Sequence, residues 1–304
     1  MGTSATKVRL AVTAGDPFGI GPEVVAAALP RVDADVTVFG DPEMFGDDVR
    51  VVPIPTGAAA PDPRGPSEPG GRASLACLRA AIAAIKRGEH DALVTGPISK
   101  EACAMADGPV DGHTPMLERE FSAPALMTFV WDEGEPAVSV LTHHIPLRAV
   151  PASLTSAKVE RAIRTLHAQL PMASPRIGVL GLNPHAGEGG RLGTEESDFI
   201  EPAIARVRAD GVDVRGPLPG DVTFAHRDRY DAILAMYHDQ GLAPVKALGF
   251  ERAVQVSLGL PVVRTSPAHG TAFDIAGQGV ADPASMIAAM RWAIRLVDDA
   301  TNRP

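Results

Sequence analysis

The sequence predicts a layered α/β/α protein, on three observations. Short, nearly continuous apolar runs alternate with longer segments whose apolar residues fall at helical spacing. Several of the short runs stop abruptly at polar residues or glycine, the pattern of strands buried on both faces. Two neighbouring runs, Leu126–Trp131 and Ala137–Thr142, are joined only by Asp-Glu-Gly-Glu-Pro and read as a β-hairpin, so the sheets are mixed. With 304 residues, 45% of them hydrophobic, the chain is long enough for two domains.

Taken in order, Val8–Ala14 is a first buried strand that runs into Gly15-Asp-Pro-Phe-Gly-Ile-Gly-Pro-Glu23. A helix over Val24–Leu29 follows, with Pro22 in its first turn. These glycines are not spaced G-x-G-x-x-G and no P-loop lysine follows, so they are read as allowing a tight turn. Val36–Gly40 is a second strand. Val52–Gly71, rich in Pro, Gly and Ala, is a surface connection. Arg72–Arg87 is a helix with Leu75, Leu78, Ile82 and Ile85 at helical spacing and Gly88 as its C′ residue. Ala92–Thr95 is a strand that opens into Gly96-Pro-Ile-Ser-Lys100.

A short helix is expected over Met116–Phe121, with Thr114 as cap and Pro115 at its first position. Past the hairpin, Ser156–Leu170 is helical and Arg176–Leu182 a strand. The segment 187–193 is too glycine-rich for a core element. Glu195–Ala209 is a helix stopped by Gly211, and 217–226 shows no single pattern. Ala232–Tyr237 is a strand after which Gly241 turns the chain. Val254–Ser257 and Val262–Ser266 are short strands, and Pro283–Val297 closes the chain as a helix.

Composition narrows the function classes. A formal net charge of −9 argues against a nucleic-acid or anionic-membrane partner held by general electrostatics. Two cysteines, Cys77 and Cys103, make neither a disulfide framework nor a Cys-rich zinc site, and Cys77 is expected to be buried in its helix. No signal-peptide core or membrane-length run is present, so a cytoplasmic location is expected.

Three strands deliver a histidine just beyond their carboxyl ends, where open α/β sheets bind ligands: His144, His185 and His238. One such histidine is usually structural, whereas three suggest a divalent metal. Neutral imidazole is the commonest metal ligand, and catalytic zinc takes three protein ligands with coordination left open. Zinc, manganese and cobalt all suit this set. His143 points the other way if the strand continues. Asp239 is placed to orient an imidazole, accept a substrate proton or make a turn hydrogen bond.

His113 and Thr114 fall by a helix N-terminus, which favours an anion. With Lys246 and Arg264 they would form a donor-rich cationic pocket for a phosphate monoester. Lys100 is either a solvated lysine in a helix-initiating turn or a functional cation at a strand end. His90, His167 and His226 are assigned no role.

Thr-Ala-Gly-Asp-Pro-Phe-Gly-Ile-Gly-Pro-Glu, Asp-Gly-His-Thr-Pro, Thr-His-His-Ile-Pro-Leu-Arg, Gly-Leu-Asn-Pro-His-Ala-Gly-Glu and Ala-Met-Tyr-His-Asp-Gln-Gly occur in that order between Leu10 and Ile294. Together they resemble the 4-hydroxythreonine-4-phosphate dehydrogenases of pyridoxal phosphate biosynthesis. The resemblance implies a homodimer in which both subunits contribute to a metal site, here on His144, His185 and His238. The divalent ion would be zinc, magnesium, cobalt or manganese. It places substrate contacts on His113, Thr114, Lys246 and Arg264, while Asp239 and Lys100 are the catalytic candidates from their positions beyond strand ends. Gln255 stands where the family has a substrate-binding asparagine. Relatives that oxidise 4-phosphothreonate, 4-phosphoerythronate or a cyclic dihydrodiol carboxylate are therefore alternatives, and His113 with Thr114 favours a phosphorylated substrate.

The stretch Ala268–Pro283 is similar to the adenosine-binding loop of the isocitrate and isopropylmalate dehydrogenases. That resemblance implies two α/β/α domains flanking a cleft, divided as 1–125 plus 266–304 and 126–265. It places His269, Gly270, Thr271, Ala272, Asp274 and Ile275 around a dinucleotide. An acidic Asp274 favours NAD over NADP, and Asp282 replaces that superfamily's asparagine. The implied reaction is metal-dependent oxidation of a phosphorylated hydroxy acid at C3 to a β-keto acid that decarboxylates. A metal-dependent hydrolase or phosphatase would leave the 268–283 stretch unexplained, and a non-catalytic sugar-phosphate binder is the third reading.

Overall fold

A computed structural model of the chain describes residues 7–110, 112–249 and 252–301. Asp111, the first residue of the Asp-Gly-His-Thr-Pro motif, lies outside the described residues. Contacts divide the chain into two compact units: residues up to Ala125 together with those from Val254 onward, and Leu126–Ala253 between them. The division falls at Val254 rather than at 266 because both short strands after 253 pair within the first unit.

With strands and helices numbered along the chain, the first unit holds β1 (Arg9–Thr13), β2 (Asp35–Gly40), β3 (Val51–Pro53), β4 (Ala92–Thr95), β10 (Val254–Leu258) and β11 (Val263–Pro267). Their order is β3-β2-β1-β4-β11-β10. All pairs are parallel except β10 with β11. The helices are α1 (Gly21–Ala28), α2 (Glu68–Lys86), α3 (Lys100–Asp107), α4 (His113–Phe121) and α10 (Ala284–Thr301). On α2, Leu75, Leu78, Ile82 and Ile85 bury one face in a cluster with Ala11, Phe39, Leu93 and Leu117. Each large aliphatic side chain buried this way contributes about 1.5–3 kcal/mol.

The stretch 52–71 is not wholly a surface connection. Ser67 caps α2 by accepting from the Gly70 N–H, with Glu68 in the first turn, so the helix starts before Arg72. Gly70 and Gly71 are buried there. A Cβ on Gly71 would collide with the Ala102 carbonyl of α3, so glycine at this position is what lets α2 and α3 approach. Helix α4 likewise starts earlier than expected, at His113. Gly112 is its N-cap with no side-chain cap, and Thr114 is buried inside the first turn rather than capping it.

The second unit holds β5 (Leu126–Val130), β6 (Ala137–Thr142), β7 (Ile177–Leu180), β8 (Val214–Leu218) and β9 (Ala232–Tyr237), in the order β5-β6-β9-β7-β8. The β5–β6 hairpin is antiparallel and the remaining pairs are parallel. Its helices are α5 (Val150–Ser153), α6 (Ser156–Gln169), α7 (Glu201–Ala209), α8 (Gly220–Ala225) and α9 (His238–Gly249). The unpatterned 217–226 stretch supplies the end of β8 and all of α8. The helix expected from Glu195 begins instead with a π turn, Glu196–Ile200, that runs into α7.

Gly241 does not turn the chain. Helix α9 starts directly at His238, and Gly241 lies buried within it, where a Cβ would fall 2.7 Å from Val140 Cγ1 and 3.2 Å from Ala235 Cβ. The glycine permits close packing of α9 on its own strand and on β6.

Candidate active site

The first unit contains a buried cation, Arg264. Along a strand, side chains alternate faces. Arg264 of β11 is opposite Leu93 of β4, and Gln255 of β10 is opposite Ser266 of β11. Thr95, Ser257 and Arg264 meet on one such face. Arg264 is 1% exposed. Its Nη2 donates to Thr95 Oγ1 at 2.6 Å and its Nη1 to Ser257 Oγ at 3.1 Å, while Nε has no partner. Burial pushes the guanidinium down to about 9, which leaves it charged at neutral pH.

His113 and Thr114, in the first turn of α4, adjoin this group. His113 keeps part of its surface, but its Nε2 is buried without a partner. Burial, then the nearby Arg264 charge, hold its pKa well below the usual imidazole range. Gln255 Nε2 donates to Thr114 Oγ1 at 3.3 Å. Lys100 is the first residue of α3, after the Ser99 cap, and its Cε lies 3.2 Å from where a Cβ on Gly112 would stand. Five of the sequence-selected residues (Lys100, His113, Thr114, Gln255 and Arg264) are thus in the same unit. Lys246 is exposed on α9 of the other.

The 268–283 segment joins β11 to α10. Ile20 N–H donates to the Thr271 carbonyl at 2.9 Å, and a Cβ on Gly19 would fall 2.8 Å from that oxygen. The glycine turn after β1 is therefore packed against this loop. Glu23 Oε2 accepts from Gly279 N–H at 3.2 Å. His269 Nε2 is buried without a partner, Gly270 is open to solvent, Ala272 has φ 40°, and the half-buried Ile275 follows an exposed Asp274. An orphan imidazole nitrogen beside an open glycine and an exposed carboxylate fits a dinucleotide's polar edge. Asp282 accepts from Ala284 N–H at 2.8 Å, so it starts α10 by an aspartate turn.

The second unit carries the three candidate metal histidines. Thr142 pairs with Tyr237, so the residues just past β6 and β9 are neighbours. The rings of His144 and His238 lie 5.6 Å apart. His144 has φ 52°, which breaks the strand alternation that would have aimed it opposite His143. His238 Nδ1 is 2.6 Å from Asp239 Oδ1. That contact leaves Nε2 as the donor atom the ring presents, which fits metal ligation. His185 is exposed on the loop after β7. Among the described residues no group of three His, Cys, Asp or Glu is arranged to hold a metal.

Several residues around these groups were not singled out from sequence. Asn183, Glu195 and Glu196 are bonded together beneath His185. Gln240 accepts from Met236 N–H and donates to the Gly181 carbonyl, each at 2.7 Å, tying α9 to the end of β7. Asp16 is fully buried, with Oδ1 accepting from Phe18 N–H and Oδ2 unpartnered. Burial pushes its pKa up to about 6. Only the position of Asp16, just past a strand end, was a signal; the others depend on contacts between segments.

The family described as "Pyridoxal phosphate biosynthetic protein PdxA" matches residues 21–293. The chain belongs to this family. It is 42% identical over 334 residues to the 4-hydroxythreonine-4-phosphate dehydrogenase of Methylorubrum populi, covering 96% of this chain and 95% of the relative. A crystal structure of the 4-hydroxythreonine-4-phosphate dehydrogenase from Klebsiella pneumoniae superposes with a TM-score of 0.85. It has 33% identity and covers 97% of this chain and 99% of that one. Isocitrate dehydrogenase from Methylococcus capsulatus, at 18% identity and a TM-score of 0.51 over 97% of this chain and 87% of its own, shares the fold alone. The family makes this chain an oxidoreductase of pyridoxal phosphate biosynthesis that uses a nicotinamide cofactor. Among the described residues no helix is long and apolar enough to cross a membrane.

Proposed function

We propose that the chain oxidises 4-hydroxythreonine 4-phosphate, or a close phosphorylated hydroxy acid, at C3, with NAD as acceptor and one divalent ion per site. The observation that carries the reading is Arg264. A charged guanidinium buried on two hydroxyls, with an unpaired Nε and a neutral His113 beside it, is costly unless an anion completes it. A phosphate monoester would do so, taking hydrogen bonds from Arg264 and Thr114. Gln255, held on Thr114, would reach the substituent next to the reacting carbon. The dihydrodiol carboxylates offer this pocket no phosphate.

The reaction removes the C3 hydrogen with its electron pair and the C3 hydroxyl proton, leaving a β-keto acid that loses carbon dioxide. Bound nicotinamide supplies the hydride acceptor, and a bound divalent ion supplies Lewis acidity at the hydroxyl and the new carbonyl. His144, His185 and His238 would hold the ion. Asp239, engaged with His238 Nδ1, keeps that ring in its metal-donating tautomer. Lys100, the first residue of α3, would act on the hydroxyl proton. His269, Gly270, Thr271, Ala272 and Ile275 would line the dinucleotide. The exposed Asp274 would accept from the ribose hydroxyls and repel a 2′-phosphate, which favours NAD over NADP.

The active unit in this reading is a homodimer with a shared metal site. Ile145, Leu147 and Leu192, exposed at 40%, 67% and 43%, flank the metal histidines on the loops after β6 and β7, and a second copy would cover them. The assay is NADH formation with excess divalent metal, comparing 4-hydroxythreonine phosphate with 4-phosphothreonate and 4-phosphoerythronate. Absence of NADH with all three sinks the proposal. For the shared site, inactive His144→Ala and His185→Ala chains should recover activity on mixing. No recovery after demonstrated subunit exchange argues for a site within one chain.

A further inference from the structure

We propose that Glu196 is the positioning residue for His185, holding a strained turn in the conformation that aims that imidazole. The inference rests on reading His185 as a metal ligand. Five consecutive residues, His185 to Gly189, have left-handed backbone angles, with φ of 51°, 51°, 78°, 45° and 67°. Two of the five are glycines. His185, Ala186 and Glu188 each carry a Cβ that disfavours this region. Such a turn persists only where its surroundings over-determine it, and strain of this kind gathers at functional positions.

Glu196 is the surrounding group that does so. It is 3% exposed although it is a carboxylate. Its Oε1 accepts from Asn183 N–H at 2.8 Å and its Oε2 from Asn183 Nδ2 at 3.0 Å. Both carboxylate oxygens thus grip the residue two before His185. On the far side, a Cβ on Gly187 would stand 2.6 Å from Oε2, so the carboxylate fills the space inside the turn. Glu195 Oε2 accepts from the same Asn183 amide at 2.7 Å, leaving the side chain of Asn183 no freedom to rotate. Glu196 also opens the π turn ahead of α7, so the clamp is anchored on a helix rather than on the loop it controls. The carboxylate does not reach His185 itself. It acts by fixing Asn183 and packing under Gly187, the residues on either side.

The sharp variant is Glu196→Gln, which keeps the shape but replaces one acceptor oxygen with an amide NH2. That NH2 must face either the Asn183 N–H or its Nδ2, donor against donor. The readout is direct Co²⁺ binding by visible absorption and calorimetry, with far-UV circular dichroism and NAD affinity as controls. Glu196→Gln is expected to weaken Co²⁺ binding by about 10–100-fold with both controls unchanged, as for other groups that orient a ligand. In a His185→Ala background the same substitution should weaken Co²⁺ binding no further, because its effect passes through His185. Equal Co²⁺ affinity in wild type and Glu196→Gln overturns the inference and leaves the metal reading standing. A further loss in the His185→Ala background overturns it as well, showing a general structural role. Absence of Co²⁺ uptake by the wild type sinks the metal reading, and the inference with it.

Discussion

The two units handle charge in opposite ways. In the first, the candidate groups are buried or half-buried and pre-assembled: Arg264 on Thr95 and Ser257, His113 held neutral, Gln255 on Thr114. In the second, the candidate ligands His144 and His185 are exposed on left-handed backbone, Asp239 holds the ring of the third candidate, His238, and Glu196 holds Asn183 two residues before His185. A buried cation must be desolvated once, at folding, and then holds an anion strongly. Exposed imidazoles cost little to fold and depend on neighbours to aim them. The first unit is therefore expected to lose affinity abruptly when one group is removed, and the second to lose geometry.

The largest expected effect tests the first half of that contrast. Arg264→Met should lower kcat/KM for the phosphorylated substrate by about three orders of magnitude, ~4 kcal/mol, because it leaves Thr95 and Ser257 without their donor and the phosphate without its cation. Steady-state kinetics checks it, and a change under tenfold would show that the pocket is not built around this charge. Next, His185→Ala or His238→Ala should reduce turnover below about a tenth of wild type at saturating metal, with the melting temperature nearly unchanged because neither side chain leaves a core cavity. Retained activity would remove that histidine from the ligand set.

A third test uses pH. Burial raises the folded-state pKa of Asp16 from 3.8 to about 6, so the folded chain holds that proton more tightly than the unfolded one. Its contribution to stability is fully present below about pH 4 and is lost as pH rises through 6. The loss is on the order of 2–3 kcal/mol. Asp16→Asn cannot ionise, so its stability in urea should fall less than that of wild type between pH 4 and 7. Parallel pH profiles would show that Asp16 does not titrate in this range. The smallest effect should come from Asp274→Asn, which removes a charge at an exposed position. NADP use relative to NAD should rise about fivefold, ~1 kcal/mol, and an unchanged ratio would place the ribose elsewhere.

The sequence by itself determined the alternating elements, the mixed sheet and the candidate groups for the chemistry. Strands such as Ala92–Thr95 and Ala232–Tyr237 are local apolar runs, and their polar termini mark the end of the sheet where ligands gather. Its period also placed the apolar face of α2. Tertiary structure decided the environments. Nothing local separates Arg264 from a surface arginine; its burial comes from pairing β11 with β4 and β10. Nothing local shows that Gly241 packs inside a helix, that Gly71 lies against Ala102, or that Glu196 closes on Asn183 across thirteen positions of chain. Hydrophobic periodicity is a property of neighbouring residues and is legible one segment at a time. Desolvation, orphaned polar atoms and clamps across a loop arise only when distant segments are brought together, and those are the terms that turn a histidine or an arginine into a site.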